Sequence, residues 1–264
     1  MSANINFGSC GPKSVNIENP NLDNGSVKHY TGLFREDINW RILSKTILDT
    51  TPIKDIYVGA CADGSEPITL KMQLEKDDPT RKFNITAFDI SQEKIAMAKC
   101  GVMGISTKRT LMNDEPCLVR CNRHMDEVQI GRYLQKIPGS DYKANARTTD
   151  ETGALFKMTE HLRENMKFMV ADAIDLTKQK FQDPIVFMFR NVLPYIKESA
   201  RNELAGNLAE NIPKGSILAV GSYDTCIRNK DNSISRITQL LPNKYFKAIS
   251  ADGTIGSELI FRHL

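Results

Sequence analysis

The sequence places polar residues directly after a buried apolar run, which is where parallel sheets carry their ligand sites. Ile185–Phe189 is a continuous apolar segment with the length of a central parallel strand. Arg190 and Asn191 follow immediately, and Tyr195 comes a few residues later. Because ligands in open α/β sheets bind beyond the carboxyl ends of the strands, we expect these polar side chains to border a ligand site. An ordinary junction between a strand and a loop is the alternative interpretation.

A glycine-containing turn earlier in the chain is the second feature that could meet a ligand. The β-rich segment Asp55–Gly59 runs into a loop that reaches Gly64, and Ser65 as N-cap with Pro67 in the first turn then predicts a helix. The loop lacks the Lys-Ser/Thr pair of a phosphate-binding P-loop, and it does not match G-x-G-x-x-G. Its glycines predict a backbone that a ligand can approach closely, with a plain strand–loop–helix turn as the alternative.

An acidic residue at the end of a further strand favours a nucleoside ligand. Phe83–Ile90 contains a strand-like run that reaches Asp89, 25 positions after Gly64. A carboxylate at the end of the second strand of such a sheet is well placed to accept hydrogen bonds from ribose hydroxyls. Alone, Asp89 could equally be a helix cap or a surface residue. The glycine turn one strand earlier favours the nucleoside, and Ser91 is expected to cap the next helix.

Taken in order, these segments resemble the chemotaxis-receptor methyltransferases, the CheR-type family. Thr31–Glu36 is similar to the family's Thr-x-Phe-Phe-Arg-Glu, and Ala60–Pro67 is similar to its Ala-Cys-Ser-Thr-Gly-Glu-Glu-Pro. Phe88–Ser91 resembles its Thr-Asp-Ile-Ser/Asp, and Phe189–Tyr195 resembles its Cys-Arg-Asn-Val-Leu-Ile-Tyr. Gly215–Gly221 looks like the strand that follows. Motifs that recur in the same order and spacing are a specific signal.

The resemblance implies an α/β fold with the seven-stranded, Rossmann-like sheet of methyltransferases that use S-adenosylmethionine (SAM). These enzymes methylate receptor glutamates, so it also implies an acceptor carboxylate, with Arg35 and Tyr195 as the catalytic residues beside it. Glu66 would reach the amino group of the methionine part or order its own loop, and Asp172 would accept from the adenine amino group. The implied contacts to SAM are Thr31, Gly59, Glu66, Asp89, Ile90, Asp172, Ala173, Asn191 and Val192.

The chain departs from the family in the parts that would recognise the acceptor. The family's N-terminal helical domain is not expected here, because residues 1–27 are rich in Asn, Ser and Gly and predict a flexible arm. Residues 28–264 are predicted to form the methyltransferase domain, with an insertion at about 101–164 that shares little with the family's small β-subdomain. Three hypotheses stay open: methylation of a protein glutamate, methylation of a small molecule or another protein, and SAM binding without catalysis.

Composition limits which classes of partner and which cellular compartment are expected for this protein. The net charge of +3 over 264 residues gives no argument for nucleic acid, and no run approaches the ~18 apolar residues of a membrane span. The N-terminus shows no secretory signal, and the six cysteines are scattered, which favours a reducing cytoplasm. Cys117, Cys121 and His124, with Cys100 upstream, could bind zinc. No second Cys-x2-Cys pair closes such a site, so no metal is predicted, and the oligomeric state is left open.

The elements that must position these residues follow from the spacing of apolar side chains. One helix is predicted over Val27–Leu48 and another over Lys197–Asn211, where apolar residues recur every four positions. Some helix is expected around Asp126–Gln135, inside the insertion. Strands are predicted at 55–59, 84–89, 166–170, 185–190 and 216–222, followed by a closing hairpin that pairs Tyr245–Ser250 with Ser257–Phe261.

Overall fold

The computed structural model describes most of the chain. The described residues are 15–16, 21–22, 26–27, 32–34, 39–50, 52–106, 118–120, 131–143, 152–229, 231–249 and 259–264. Thr31, Arg35, Cys117, Cys121 and His124 lie outside these ranges, so the roles expected of them stay predictions. The boundary expected between an arm and the main domain at residue 28 also stays a prediction.

Sixteen strands are described, and seven of them form one sheet. They are β1 (Val15–Asn16), β2 (Ser26–Val27), β3 (Asp55–Gly59), β4 (Asn84–Asp89), β5 (Val102–Ser106), β6 (Leu118–Arg120), β7 (Leu134–Lys136), β8 (Tyr142–Lys143), β9 (Thr152–Met158), β10 (Met166–Val170), β11 (Ile185–Phe189), β12 (Ile217–Val220), β13 (Cys226–Arg228), β14 (Ile234–Arg236), β15 (Phe246–Ala248) and β16 (Ile260–His263). The order in the main sheet is β10-β4-β3-β11-β12-β16-β15. The first five are parallel, and β16 and β15 run antiparallel at one edge. This sheet confirms the predicted fold class.

The central strand β11 explains why its sequence is apolar without alternation. Its five residues are all buried. Val186 and Met188 pack into the core on one face of the sheet, and Ile185, Phe187 and Phe189 pack into the core on the other. Helices cover both faces of a parallel sheet, so a strand between parallel neighbours has no polar side.

Seven helices with described bounds connect the strands. They are α1 (Trp40–Asp49), α2 (Ser65–Asp77), α3 (Gln92–Cys100), α4 (Glu160–Arg163), α5 (Ala173–Thr177), α6 (Glu198–Asn211) and α7 (Ile237–Leu240), with 3₁₀ turns at Leu193–Tyr195 and Ser222–Asp224. The prediction for α6 was correct to within one residue at its start. Ser91 caps α3 as predicted, because its Oγ accepts a hydrogen bond from the Lys94 N–H at 3.3 Å.

The predicted start of the first helix was wrong. Val27 belongs to strand β2, where it pairs with Val15, and Phe34 has a left-handed backbone with φ of +51°. The helix begins only at Trp40, after Asn39, whose Oδ1 accepts from the Ile42 N–H at 3.1 Å. An N-cap of this kind sets the first turn locally, and apolar spacing ahead of it does not extend the helix.

The described residues of the insertion lie mainly in strands. Strands β6, β5, β9 and β7 form a second sheet in that order, and β8 also pairs with β9. Gln135, expected in a helix, lies in β7, which pairs with β9 in the register Leu134 to Met158. Only residues 131–133 of that predicted helix are helical, and 126–130 lie outside the described ranges. Pairing with the long neighbouring strand β9 overrides the weak local preference of these residues for a helix.

The chain ends in the antiparallel pair that was predicted. Strand β15 pairs with β16 in the register Phe246 to His263, and β16 pairs with β12. The connecting residues 250–258 lie outside the described ranges. Within those ranges, every helix is too short or too polar to cross a bilayer.

Candidate active site

The carboxyl edge of the main sheet is where the predicted site residues come together. Strands β3, β4, β10, β11 and β12 are parallel, so their carboxyl ends all face this edge. From β3 the chain continues to β4 and β10 on one side, and later elements, β11 and β12, occupy the other side. The gap between β3 and β11 is therefore a topological switch point, where such sheets bind their ligands.

Asp89 lies at the end of β4 and organises the loop that follows β3. Its side chain is buried, with 3% of the residue exposed. Oδ2 accepts from the Ala62 N–H at 3.0 Å, and Oδ1 accepts from the Ser91 N–H at 2.8 Å. A carboxylate has about four acceptor positions, so two remain for further donors. Ile90 follows on the same edge and is partly buried.

Gly59 ends β3 at the centre of the switch point. A Cβ on this residue would lie 2.6 Å from Phe189 Cδ2 and 2.7 Å from Phe88 Cζ. The sequence suggested that glycine here lets a ligand approach. The described geometry also gives it a packing role, because aromatic side chains from both neighbouring strands fill the space beside its Cα, and its contact with a ligand stays a prediction.

The loop between Gly59 and α2 turns through left-handed backbone. Ala60, Ala62 and Gly64 have φ values of +52°, +46° and +88°. Gly64 is the N-cap of α2. The prediction that Ser65 would be the cap was wrong: Ser65 is the first helical residue, and its Oγ donates to Asp63 Oδ1 at 2.7 Å. A left-handed cap favours glycine over serine at that position.

Glu66 and Arg190 form a buried ion pair across the switch point. Arg190 Nη1 lies 3.2 Å from Glu66 Oε2, which joins the first turn of α2 to the end of β11. The guanidinium Cζ lies 5.1 Å from the ring centroid of Trp40, the first residue of α1. Arginine over tryptophan is a favourable cation–π geometry. Sequence reasoning did not identify Trp40, whose only signal was its position at the start of an apolar helix.

Asn191 continues the edge beyond Arg190 with a left-handed backbone, φ +57°. Its Oδ1 accepts from the Tyr223 N–H at 3.1 Å, so its side chain reaches toward the loop after β12. A Cβ on Gly221 would lie 2.0 Å from that Oδ1. This close approach permits only glycine at position 221. Val192 follows, and its N–H donates to Asp224 Oδ1 at 3.0 Å.

Tyr195 ends the 3₁₀ turn after Val192 and is partly buried. Its neighbour Ile196 forms an isolated antiparallel bridge with Leu22. The Lys197 N–H donates to the carbonyl oxygen of Asn21 at 2.9 Å. Residues near the N-terminus therefore contact the same edge of the sheet, close to Tyr195.

Asp172 caps α5 and also contacts that N-terminal segment. Its Oδ1 accepts from the Ile174 N–H at 2.8 Å, and its Oδ2 accepts from Asn21 Nδ2 at 3.2 Å. Ala173 follows as a buried residue at the start of α5. Asn21 carried no sequence signal, because it lies 151 positions from its partner.

A second polar cluster lies behind α2, away from the carboxyl edge. His161 Nε2 is 2.7 Å from Glu75 Oε2, and Lys71 Nζ is 3.7 Å from Glu75 Oε1. Lys71 Nζ also donates to the carbonyl oxygens of His161, at 3.0 Å, and Glu164. Burial, and then the Glu75 carboxylate, raise the pKa of Tyr133 to about 12. The cluster joins α2 to the end of the insertion.

Metal binding finds no support in the described ranges. They contain no group of three His, Cys, Asp or Glu side chains close enough to hold an ion. The candidate ligands Cys117, Cys121 and His124 lie outside those ranges.

The sheet order, the glycine turn after β3 and the acid after β4 define the class of SAM-dependent methyltransferases. Within that class the chain belongs to the CheR methyltransferase family, whose SAM binding domain matches residues 29–115 and 130–240. The predicted family, enzyme class and cofactor are thereby confirmed. The donor set fits SAM, because the carboxylates of Glu66, Asp89 and Asp172 suit ribose hydroxyls and amino groups.

Curated relatives carry the same family assignment. The chain is 24% identical over 212 residues to a chemotaxis protein methyltransferase of Listeria monocytogenes serovar 1/2a, covering 78% of this chain and 69% of that protein. It is 25% identical over 239 residues to one of Borreliella burgdorferi, covering 86% and 72%. A TehB-like SAM-dependent methyltransferase of Corynebacterium glutamicum has a TM-score of 0.41, 10% identity and 86% coverage of each chain. At that score the structural likeness adds nothing to the family match.

Proposed function

We propose that this methyltransferase transfers the methyl group of SAM to a carboxylate on an acceptor protein, with a glutamate side chain as the acceptor. The curated relatives named chemotaxis protein methyltransferases support a protein acceptor. The resemblance of Thr31–Glu36 and Phe189–Tyr195 to the family's motifs supports the carboxylate.

The contacts of the described acids at the carboxyl edge carry this proposal, because their remaining acceptor positions are the ones assigned to SAM. Asp89 accepts two backbone N–H groups, Asp172 caps a helix, and Glu66 pairs with Arg190. A hydroxyl acceptor needs a group that removes its proton, and an amine that is protonated at neutral pH must lose a proton before it can attack. A glutamate acceptor needs none, because its ordinary pKa of about 4.3 leaves it ionised at neutral pH. The residues then have only to orient the acceptor and exclude water.

The donor would be held by the residues along this edge. Bound SAM supplies a methyl group activated by a positively charged sulfur. Asp89 accepts from the ribose hydroxyls, Asp172 accepts from the adenine amino group, and Glu66 faces the methionine amino group while it holds Arg190. The remaining proposed contacts are Thr31, Gly59, Ile90, Ala173, Asn191 and Val192.

The acceptor carboxylate would lie between Arg35 and Tyr195. A guanidinium binds a carboxylate through two parallel hydrogen bonds, which fixes its orientation as well as its position. Tyr195 is the last residue of the 3₁₀ turn at this edge and would border the transferred methyl group. Both roles come from the family resemblance.

We also propose a cytoplasmic location. Cys61, Cys100 and Cys226 are free thiols in the described part of the chain, which supports a reducing compartment. A cytoplasmic enzyme of this type would meet protein acceptors there.

The test is the chemistry of the product. The purified chain is incubated with SAM carrying a labelled methyl group and a cell lysate, and protein and small-molecule fractions are separated. We expect label in the protein fraction that mild alkali releases as volatile methanol, as methyl esters do. Arg35→Ala should abolish the transfer and retain most of the SAM binding, because its partner is the acceptor. Arg236→Ala, which alters an exposed arginine, serves as the matched control.

The outcomes separate the alternatives. Alkali-stable label would rule out a carboxylate acceptor and favour a nitrogen or carbon acceptor. Alkali-labile label confined to small molecules would keep the chemistry and exclude the protein. Loss of transfer in the Arg236→Ala control would remove the argument from Arg35.

A further inference from the structure

Asp224 is a buried carboxylate at the carboxyl edge that the sequence did not single out. It ends the 3₁₀ turn after β12 and has 0% of its surface exposed. Four backbone N–H groups donate to it. They belong to Asn191 and Gly221 on Oδ2, and to Val192 and Leu193 on Oδ1.

Three of these donors are consecutive residues, and their geometry explains the convergence. Asn191 has a left-handed backbone and Val192 a right-handed helical one, with φ of −116° and ψ of −33°. Alternation of this kind turns successive N–H groups toward one point and creates a concave site for an anion. In this chain the anion is the Asp224 carboxylate itself.

Arg201 holds the other end of the same segment. This α6 side chain is buried, with 2% of the residue exposed, and its Nη1 donates to the carbonyl oxygens of Leu193 at 3.3 Å and Ile196 at 3.1 Å. Its Nη2 donates to Asn229 Oδ1. A carboxylate thus binds the N–H groups at the start of the segment, and a guanidinium binds the carbonyl groups toward its end.

We propose that Asp224 is a positioning residue for the methyl donor, whose ionised carboxylate holds Asn191 and Val192 in the conformation that contacts SAM. This rests on the proposed contacts of those two residues. The proposal adds that Asp224 causes the conformation of Asn191 and Val192, and that its carboxyl must be ionised to do so. A protonated carboxyl would turn an O–H toward the N–H groups and lose part of its acceptor capacity.

The environment of Asp224 brings its ionisation near neutral pH. Burial raises the pKa of Asp224 to about 6, and the four N–H groups act in the opposite direction. The charged or titratable side chains on the elements packed around it are Arg190, Tyr195, Arg201, Tyr223, Cys226 and Arg228. None of these residue types ordinarily titrates below pH 7, whereas a carboxyl does.

Stability and donor binding should therefore respond to pH in opposite directions. A carboxyl whose pKa is raised on folding contributes stability that is present below its unfolded pKa, and that is lost as the pH rises through about 6. The donor loop needs the ionised form, which predominates only above about pH 6. Weaker binding at low pH without loss of the fold is a result that a merely structural role would not give.

The experiment is a calorimetric titration with S-adenosylhomocysteine, the demethylated product, between pH 5 and pH 8. The wild-type affinity should fall about tenfold between pH 7 and pH 5, following a single proton. In Asp224→Asn an NH₂ group faces two of the four N–H donors, so binding at pH 7.5 should be about tenfold to a hundredfold weaker, with little change down to pH 5. Asp231→Asn is the matched control. It alters an exposed aspartate that accepts from Ser233, and it should behave as wild type.

Either arm can overturn the proposal. Affinity of Asp224→Asn within about twofold of wild type would show that the carboxylate does not position the donor loop. Should that variant fail to fold, the wild-type protein decides: a Tm whose pH dependence shows Asp224 titrating near pH 6, together with an affinity that does not change from pH 7.5 to pH 5, would exclude a requirement for the ionised carboxylate. No acceptor is present, so failure here leaves the proposed acceptor untested, and an incorrect acceptor leaves this result unchanged.

Discussion

The ion pair between Arg190 and Glu66 gives a direct test of how the donor site is assembled. It joins the end of β11 to the first turn of α2 across a 3.2 Å contact, with Trp40 of α1 beside the guanidinium. Arg190→Met keeps an unbranched, apolar side chain and removes the charge. Glu66→Gln keeps the shape and removes the opposite charge. Each single change removes the 3.2 Å contact between the two charges.

The expected magnitude follows from the burial of the two side chains. Arg190 has 0% of its side chain exposed, and Glu66 has 13% exposed. Removing one partner of a buried ion pair costs about 3–5 kcal/mol. Partial exposure of the carboxylate that remains puts Arg190→Met at the lower end, about 3 kcal/mol. In a chain of this size each kcal/mol shifts Tm by about 2–4 °C, so the Tm should fall by roughly 6–12 °C.

The chain provides its own reporter for the measurement. Its single tryptophan is Trp40, which lies under the Arg190 guanidinium. Urea unfolding followed by Trp40 fluorescence, and in parallel by circular dichroism, gives the free energy of unfolding for both single variants and the double variant. A coupling energy of about 1–3 kcal/mol is expected for side chains in contact. The control Arg236→Met, at an exposed residue, should stay within about 0.5 kcal/mol of wild type.

Additive effects would contradict this reasoning. If the double variant loses the sum of the two single losses to within about 0.5 kcal/mol, the two charges do not interact in solution. The assignment of Glu66 to ordering the donor loop through Arg190 would then fail.

Two further predictions concern Asp89 and Tyr133. Asp89→Asn should weaken binding of S-adenosylhomocysteine, measured by calorimetry, by several-fold to about a hundredfold, because hydrogen bonds to a charged group contribute about 1.5–3 kcal/mol. Asp78→Asn, at an aspartate that accepts from nearby Thr80, should bind as wild type, and equal affinity in both variants would exclude the ribose contact. Tyr133 has its pKa raised to about 12 by burial and Glu75, so its contribution to stability is present below pH 10 and is lost as the pH rises through 12. The absorbance of wild type minus Tyr133→Phe should show a phenolate transition near pH 12, and a transition near the ordinary value of about 10 would contradict the buried environment.

Much of the fold could be predicted because its signals are local. The apolar run of β11, the acid that ends β4 and the periodic apolar face of α6 each lie within one element. Parallel strands and helices bury side chains with different periods, and a window of a few residues contains enough of them to tell the two apart. The family's motifs are equally short, so the sequence was enough to recognise the family.

Errors arose where a single backbone conformation ends an element. The apolar spacing predicts a first helix that begins at Val27. In the structure Phe34 has a left-handed backbone, and Asn39 caps a helix that begins only at Trp40. Gly64 likewise took the cap expected of Ser65. The spacing of apolar residues does not report the φ of one residue.

The amino-acid sequence is enough to predict that polar residues follow the strands, but the partners of those residues depend on the tertiary fold. Asp224 lies 31 to 33 positions from the loop whose N–H groups it accepts, and Arg190 meets Glu66 and Trp40 from two other elements. Gly59 is fixed by aromatic rings from neighbouring strands. These contacts exist because β11 lies between β3 and β12. Strand order depends on how the whole chain buries its apolar surface. The spacing of residues along the sequence does not predict that order.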